Sequence, residues 1–238
     1  MTGMLASVRN LDEAKIVIES QIDILDLKDP QQGALGALPA SLVNRIVAHV
    51  NGCIPVSATI GDIPCQTDML YPKIKAMSEA GVDIIKVGIF GDVDDVGILE
   101  MLKAFSCQGI RIVLVFFAED MQRMPDFNTL AETGITGAMV DTREKKTGSL
   151  RKKMSDKELS DFVLAIRKAG LLCGLAGSLG IEDIVSLLRL KPDYLGFRGA
   201  LCRHSQREYE IDKTCVAQIY SLISEQNLSN SNQDVITA

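Results

Sequence analysis

Short apolar runs alternate with longer amphipathic segments along the chain, and this alternation constrains the fold more than any other feature. Eight runs rich in Val, Ile, Leu and Phe have the length and composition of buried strands. We predict strands over residues 4–8, 22–27, 55–60, 83–90, 111–118, 137–142, 172–176 and 194–198. The sequence therefore consists of repeated strand–helix units.

The segments between these strands have the periodicity of amphipathic helices. We predict helices over residues 11–19, 39–50, 66–80, 93–105, 126–132, 155–169, 180–188 and 208–225. Gly81, Gly109, Gly134 and Gly170 stand at helix ends, where glycine is a common terminating residue. The repeat of about 25 to 30 residues is that of a strand–helix unit in an α/β protein.

Eight strand–helix units in 238 residues predict a closed (β/α)8 TIM barrel, since that fold typically takes about 250 residues. We expect one α/β domain over residues 1–225. Residues 226–238 are rich in Asn, Ser and Gln, which predicts a flexible C-terminal tail. An open doubly wound sheet is the alternative. It usually carries G-x-G-x-x-G after its first strand, and no such motif follows residues 4–8.

The composition excludes several classes of protein. A net charge of −6 leaves no broad basic face for nucleic acid. The six cysteines form no C-x-x-C pair and no cluster with histidine, so we expect no metal. Residues 1–9 lack the pattern of a signal peptide, and no apolar run approaches about 20 residues, so we expect neither a signal peptide nor a membrane span. We expect a cytoplasmic protein with no membrane partner, and the apolar outer helix faces allow a homo-oligomer.

An acid and an amine lie close together at the end of the second predicted strand. Barrel strands point alternate residues inward, and those at the carboxyl end of a strand face the active site. On this pattern Ile24, Asp26 and Lys28 share the inner face, while Leu25 and Leu27 pack outward. The pair is either functional or an ion pair that plugs the barrel.

The fourth predicted strand contains a lysine, Lys86, within an otherwise apolar run. Lysine is rarely buried unless it is paired. Near other cations and away from water its pKa falls, which supplies the neutral amine that carbonyl chemistry requires. The alternative is a side chain that extends to solvent. Gly88, on the same face, is expected to leave room for a ligand.

The sixth predicted strand ends at Asp141, and the following loop contains Lys145. A charged loop is usually only solvated, so this lysine alone is weak evidence. Together with Asp26, Lys28 and Lys86, however, these residues would place three amines and two carboxylates at one mouth. Such a set can supply both an acid and a base at neutral pH.

Glycines and small residues follow the last two predicted strands. Gly177 and Ser178 follow the seventh, and Arg198 and Gly199 end the eighth. Small residues let backbone N–H groups approach an anion, and barrel enzymes often bind phosphate at these two loops. Arg198 could add a bidentate contact. The alternative is ordinary turn chemistry.

Five segments together resemble the (5-formylfuran-3-yl)methyl phosphate synthase family, also called 4-(hydroxymethyl)-2-furancarboxaldehyde phosphate synthase. The likeness extends over about residues 4–224. The segments are Asp26-Leu27-Lys28-Asp29-Pro30 with Gly33-Ala34-Leu35-Gly36, Pro55-Val56-Ser57-Ala58-Thr59-Ile60-Gly61-Asp62, Lys86-Val87-Gly88, Asp141-Thr142 followed by Lys145, and Gly196-Phe197-Arg198-Gly199-Ala200-Leu201-Cys202.

The resemblance implies a TIM-barrel lyase that condenses two glyceraldehyde 3-phosphate molecules into a phosphorylated furan aldehyde, with loss of phosphate and water. The product feeds the synthesis of methanofuran-type one-carbon carriers. In this family a lysine forms a Schiff base, and the matching residue is Lys28. Asp26, Lys86, Asp141 and Lys145 match the supporting acid and base residues. We expect Asp26 to orient Lys28, while Lys86 and Lys145 exchange protons with Asp141, without a cofactor.

Two alternatives stay open from the sequence. Another Schiff-base aldolase or isomerase of sugar phosphates would use the same lysines and form a different product. A non-catalytic barrel that binds a phosphorylated ligand would need the pocket but no reactive amine.

Overall fold

The computed structural model describes residues 1–91, 93, 95–121, 124–145 and 147–236. All eight predicted strands are present, each within two residues of its predicted limits at either end. They are β1 (Gly3–Val8), β2 (Ile24–Leu27), β3 (Val56–Thr59), β4 (Ile84–Gly88), β5 (Ile112–Phe117), β6 (Gly137–Asp141), β7 (Leu172–Leu175) and β8 (Tyr194–Phe197). Each is parallel to its neighbours, and β8 pairs with β1 to close the barrel. The predicted (β/α)8 fold is confirmed.

Helices connect the strands and cover the outside of the barrel. They are α1 (Leu11–Ile18), α2 (Ala40–Val50), α3 (Thr67–Glu79), α4 (Val96–Cys107), α5 (Phe127–Glu132), α6 (Leu150–Lys153), α7 (Asp156–Lys168), α8 (Ile184–Leu188) and α9 (Lys213–Ile236). Four short 3-10 segments, Ala118–Asp120, Ile181–Asp183, Gly199–Leu201 and Arg203–Ser205, lie in the loops. Among the described residues, no helix is long and apolar enough to cross a membrane.

Local sequence explains where most helices begin and end. Asn10 accepts from the backbone N–H of Glu13 at the start of α1, and Ser155 forms a capping box with Glu158 at the start of α7. The four helix-ending glycines of the sequence analysis follow α3, α4, α5 and α7 with φ between 73° and 84°. In this left-handed region glycine avoids the steric cost of a side chain.

The helix predictions fail in three places. The four-residue helix α6 has no apolar period and was not predicted. The predicted helix 180–188 begins as a 3-10 turn, so α8 is shorter. The last helix begins at Lys213 and continues to Ile236, past the predicted boundary at residue 225. The domain boundary and the flexibility of the tail stay predictions. Asp94, Thr237 and Ala238, on which predicted elements fall, lie outside the described residues.

The apolar side chains form two layers, one inside the barrel and one between the barrel and the helices. Leu25 and Leu27 belong to the outer layer, whereas Ile24 packs against the inner one. This is the predicted inward and outward alternation of β2. It places Asp26, between the two leucines, on the inner face. The outer layer therefore fixes the orientation of the polar residues of the site.

A leucine-to-alanine change in the outer layer should be costly. Leu27→Ala removes a fully buried side chain, so we expect the free energy of unfolding to fall by about 2 to 5 kcal/mol. Urea denaturation measures the change. Leu164→Ala on α7, where the side chain is 50% exposed, is the matched control and should cost less than about 1 kcal/mol. Equal losses in both variants would contradict the assignment of Leu27 to the core.

Candidate active site

A cavity of about 400 Å³ opens at the carboxyl ends of the strands. Its lining combines β1, β4, β6, β8 and α9 with the loops after β2, β6, β7 and β8. The residues that contribute ionisable side chains include Lys28, Lys86, Asp141, Lys145 and Arg207. This is the end of a (β/α)8 barrel at which active sites are found. The three predicted lysines therefore meet in one cavity.

Asp26 is fully buried below the cavity and accepts three hydrogen bonds or ion pairs. Strand register places Ser7, Asp26 and Ser57 side by side on β1, β2 and β3. Both serine hydroxyls donate to the carboxylate at 2.7 Å. The Nζ of Lys86 lies 2.8 Å from the same carboxylate. Lys86 is 3% exposed, so it is a paired, buried amine rather than one that extends to solvent.

Asp141, the last residue of β6, forms the second carboxylate centre. Its Oδ2 lies 3.8 Å from the Nζ of Lys28. Its Oδ1 pairs with the Nζ of Lys145 and accepts from the N–H of Thr142 at 2.7 Å. Asp141 therefore lies between two of the three amines.

This pairing differs from the expected one. Asp26 was expected to orient Lys28, and Lys86 to share Asp141. Instead Asp26 contacts Lys86, and Asp141 contacts both Lys28 and Lys145. The reason is the direction of the side chains: Asp26 faces the barrel interior, whereas Lys28 follows β2 and reaches across the mouth. Lys28 lies two residues from Asp26 in the sequence, but this proximity did not indicate that Asp141 is its partner.

The environment of Lys28 lowers its pKa to about 7. Burial has the largest effect, because it disfavours the charged ammonium. The charge of Asp141 opposes this effect, and the charges of Lys145 and Lys86 reinforce it. At neutral pH a large fraction of Lys28 is therefore the neutral amine, which is the nucleophilic form.

The two carboxylates stay ionised despite their burial. Burial alone would raise the pKa of Asp141, but the charges of Lys145 and Lys28 outweigh it and hold this pKa at about 2. In Asp26 burial likewise opposes the charges of Lys86 and Lys28, and the net pKa is lowered. Burial also lowers the pKa of Lys145, against the raising effect of Asp141. The cavity thus combines fixed anions with amines that can change protonation state.

The loop after β7 brings backbone close to the cavity. Gly177 has a φ of 117°, and a Cβ there would lie 2.8 Å from Thr142. Only glycine allows this approach. Ser178 has a φ of 49°, and its hydroxyl donates to the carbonyl of Lys145. In the described part of the chain, no acceptor receives the backbone N–H of either residue. Gly199, from the loop after β8, also lines the cavity.

Arg198 does not fulfil its expected role as a phosphate ligand. All five of its guanidinium N–H groups are engaged within the protein: two with the Glu13 carboxylate and three with the carbonyls of Ser7, Arg207 and Tyr209. The side chain is 7% exposed. Its position after β8 suggested an anion, but a buried glutamate of α1 takes the bidentate contact. We assign this arginine a structural role.

One other expectation from the sequence, the space at Gly88, is wrong, and two residues of the cavity, Ser7 and Arg207, were not predicted. A Cβ at Gly88 would meet Phe90 and Leu35 at 2.6 and 2.7 Å, so these side chains fill the space expected for a ligand. Ser7 was missed because a single serine in an apolar strand carries no signal until register places it beside Asp26. Arg207 was missed because it lies in a loop well after β8, outside the strand-end positions that we searched.

Among the residues that the structure describes, no three His, Cys, Asp or Glu side chains are grouped so that they could hold a metal ion. The expectation that the protein uses neither metal nor cofactor stays a prediction.

Comparisons with known proteins show the family of the chain. The 4-HFC-P synthase family model matches residues 4–220. A provisionally named (5-formylfuran-3-yl)methyl phosphate synthase of Methylorubrum extorquens is 44% identical over 215 residues, 90% of this chain and 89% of the relative. The (5-formylfuran-3-yl)methyl phosphate synthase of Methanosarcina mazei is 34% identical over 84% of this chain and 90% of the relative.

Solved structures show the same architecture. Phosphoribosyl anthranilate isomerase from Thermus thermophilus superposes with a TM-score of 0.66 at 13% identity, covering 94% of this chain and 99% of that one. At this identity the likeness shows the fold alone.

The fold and the cavity define a TIM-barrel protein with a cluster of lysines and carboxylates at the catalytic end of the barrel. The chain belongs to the 4-HFC-P synthase family, whose members are named as synthases. The resemblance found in the sequence is confirmed.

Two substitutions should shift the pKa of Lys28 in opposite directions. Asp141→Asn removes a charge that raises this pKa, so the midpoint should fall below about 7. Lys145→Met removes a charge that lowers it, so the midpoint should rise. Acetic anhydride reacts with the neutral amine and not with the ammonium. The extent of Lys28 labelling at a series of pH values, read by peptide mass analysis, therefore gives the midpoint in each variant. Shifts in the same direction would contradict the assigned charges.

The Glu13–Arg198 pair should stabilise the fold. Glu13→Gln leaves the buried guanidinium without its carboxylate, so we expect a loss of about 3 to 5 kcal/mol in the free energy of unfolding. Urea denaturation measures it. Glu19→Gln, which breaks the exposed pair with Lys213, is the control and should have no measurable effect. A Glu13→Gln protein with an unchanged free energy of unfolding would contradict the structural role of Arg198 and favour a role in ligand binding.

Proposed function

We propose that this protein condenses two molecules of glyceraldehyde 3-phosphate into (5-formylfuran-3-yl)methyl phosphate through a Schiff base on Lys28. The observation that carries the proposal is the buried Lys28 amine, with a pKa of about 7, next to Asp141 and Lys145. Membership of the family supports the choice of product. The product would enter the synthesis of methanofuran-type carriers.

The size and chemistry of the cavity suit two triose phosphates. Ligand sites of small molecules typically have volumes of roughly 300 to 1,000 Å³, and this cavity has about 400 Å³. The backbone N–H groups of Gly177, Ser178 and Gly199 are our candidates for contacts with a phosphate. Of the four residues that the sequence offered for phosphate binding, these three stay candidates and Arg198 does not.

The first half of the reaction prepares a nucleophile. The neutral Nζ of Lys28 adds to the aldehyde carbon C1 of one triose phosphate and expels water, which leaves a cationic iminium. The iminium acidifies the C2–H bond, and loss of this proton gives an enamine that is nucleophilic at C2. Lys145, when neutral, is placed beside Lys28 to accept the proton, and Asp141 stabilises the cationic forms of both amines.

The second half joins the two molecules and forms the ring. The other triose phosphate loses its C2 proton and its phosphate, which gives 2-hydroxypropenal. The enamine carbon adds to the terminal carbon of this acceptor. The enolate that forms is protonated at C2 of the acceptor, whose hydroxyl then adds to the C1 iminium and gives a cyclic aminal. The tertiary hydroxyl leaves as water with a proton from C3 of the acceptor. Lys28 then leaves as the free amine with the proton from C2 of the acceptor, which completes the furan, so the balance is one phosphate and two waters.

Lys86 and Asp26 take a supporting role in this scheme. Their pair lies at the base of the cavity, with Lys86 on its lining. The positive charge of Lys86 lowers the pKa of Lys28, so Lys86 helps to keep the nucleophile neutral. The ionised Asp26, held by Ser7 and Ser57, compensates the buried charge of Lys86. The reaction is redox-neutral and moves no hydride.

Incubation with glyceraldehyde 3-phosphate should give a furan chromophore and one equivalent of inorganic phosphate per furan. Lys28→Ala should lower the rate by at least about 1,000-fold, because the covalent route is lost. Absorbance, mass spectrometry and a phosphate assay measure these products, and circular dichroism checks the fold. Lys75→Ala, on the exposed face of α3, is the control and should retain full activity.

Other products would identify the alternatives. A linear six-carbon sugar phosphate would indicate a Schiff-base aldolase and contradict the synthase. Ligand binding without turnover, unaffected by Lys28→Ala, would indicate a non-catalytic barrel.

A further inference from the structure

A second arginine, Arg207, lines the cavity from the loop after β8. Its Nη2 donates to the carbonyl of Gly33 in the loop after β2, at 3.0 Å. The side chain therefore reaches over the end of β1 and joins two loops at the mouth. The loop that carries it is fixed at its base by two backbone contacts. Cys202 forms an antiparallel bridge with Ile211, and the backbone N–H of Arg203 donates to the carbonyl of Glu210.

The donors of Arg207 are incompletely used. Its Nε is buried and has no hydrogen-bond partner among the described residues. Arg198, by contrast, uses every N–H of its guanidinium within the protein. A buried donor without an acceptor is unfavourable. The Nη1 group also has no acceptor among the described residues and, unlike Nε, is not enclosed, so it is the donor that a ligand in the cavity can reach.

The charges of the cavity point to an anion as that ligand. Lys86 and Lys145 balance Asp26 and Asp141 when Lys28 is neutral. Arg207 then remains as a positive charge on the lining, where the other acidic side chain is Glu182, an exposed residue whose charge is not among those that act on Arg207. The acidic groups whose charges act on it are Asp141, Glu208 and Asp62. Asp141 is already shared by two lysines, and Asp62 accepts from the N–H groups of Ala34 and Leu35.

We infer that Arg207 binds the phosphate group of a substrate molecule in the cavity and gives the site its preference for phosphorylated aldehydes. The guanidinium fork matches the oxygens of a phosphate and supplies charge-assisted hydrogen bonds. Arg207 is thus a specificity-determining residue. This inference rests on the proposed function for the identity of the substrate, but phosphate binding can be tested without turnover.

The first test is calorimetric titration of the whole protein with inorganic phosphate. Arg207→Gln should weaken binding by about 10- to 100-fold, the loss expected for charge-assisted hydrogen bonds. The phosphate affinity of Arg207→Lys should lie between that of the unaltered protein and that of Arg207→Gln, because lysine keeps the charge but not the two-pronged guanidinium. Arg203→Gln removes an exposed arginine from the same loop and should change the affinity less than about twofold.

The second test separates phosphate recognition from a structural link to Gly33. Borohydride trapping of adducts on Lys28 is compared for glyceraldehyde 3-phosphate and unphosphorylated glyceraldehyde. Arg207→Gln should raise the half-saturating concentration of the phosphorylated aldehyde at least about tenfold and leave that of glyceraldehyde unchanged. Equal losses with both aldehydes would show that Arg207 only holds the loops together.

Besides equal losses with both aldehydes, three results of the titration would overturn the inference: no phosphate binding by the unaltered protein, equal phosphate affinity in Arg207→Gln, or an equal loss in Arg203→Gln. Phosphate binding that depends on Arg207, in a protein that forms no furan, would support the inference and contradict the proposed function. The two claims therefore fail separately.

Discussion

Three amines and two carboxylates share the mouth of the barrel, and the chemistry of the site depends on that imbalance. Burial makes each charge expensive, so every ammonium needs a carboxylate nearby. Asp26 forms a close ion pair with Lys86, and Asp141 forms one with Lys145. In the described part of the chain, the carboxylate paired with Lys28 is that of Asp141, whose Oδ2 lies at the longer distance of 3.8 Å. Lys28 is therefore the amine for which the neutral form is favoured, and its pKa of about 7 reflects this.

The barrel makes this arrangement possible because apolar side chains on the outer face of each strand pack against the helices, while polar side chains on the inner face form the site. Leu25 and Leu27 pack outward against the helices and hold Asp26 inward. Register then places the hydroxyls of Ser7 and Ser57 against the carboxylate. The two arginines differ in the same way. Arg198 joins β8 to α1 through Glu13 and belongs to the scaffold, whereas Arg207 lines the cavity and has an Nε–H without an acceptor among the described residues.

Much of this organisation could be predicted from the sequence, because strand–helix alternation and inward parity are local patterns. They gave the eight strands, the barrel and the residues that meet at its mouth. The partners of each amine could not be predicted, since they depend on side-chain direction across the barrel. Lys28 follows Asp26 by two residues yet faces Asp141. The sequence could not show that Arg198 is unavailable to a phosphate either, because that depends on its pairing with the buried Glu13 of α1.

The most direct test of the account is to locate the covalent intermediate. Borohydride reduction during turnover, followed by peptide mass mapping, identifies the lysine that carries the substrate carbons. The account predicts a single adduct on Lys28, because Lys86 and Lys145 are held by close carboxylates. An adduct on Lys86 or Lys145, with Lys28 unmodified, would contradict it.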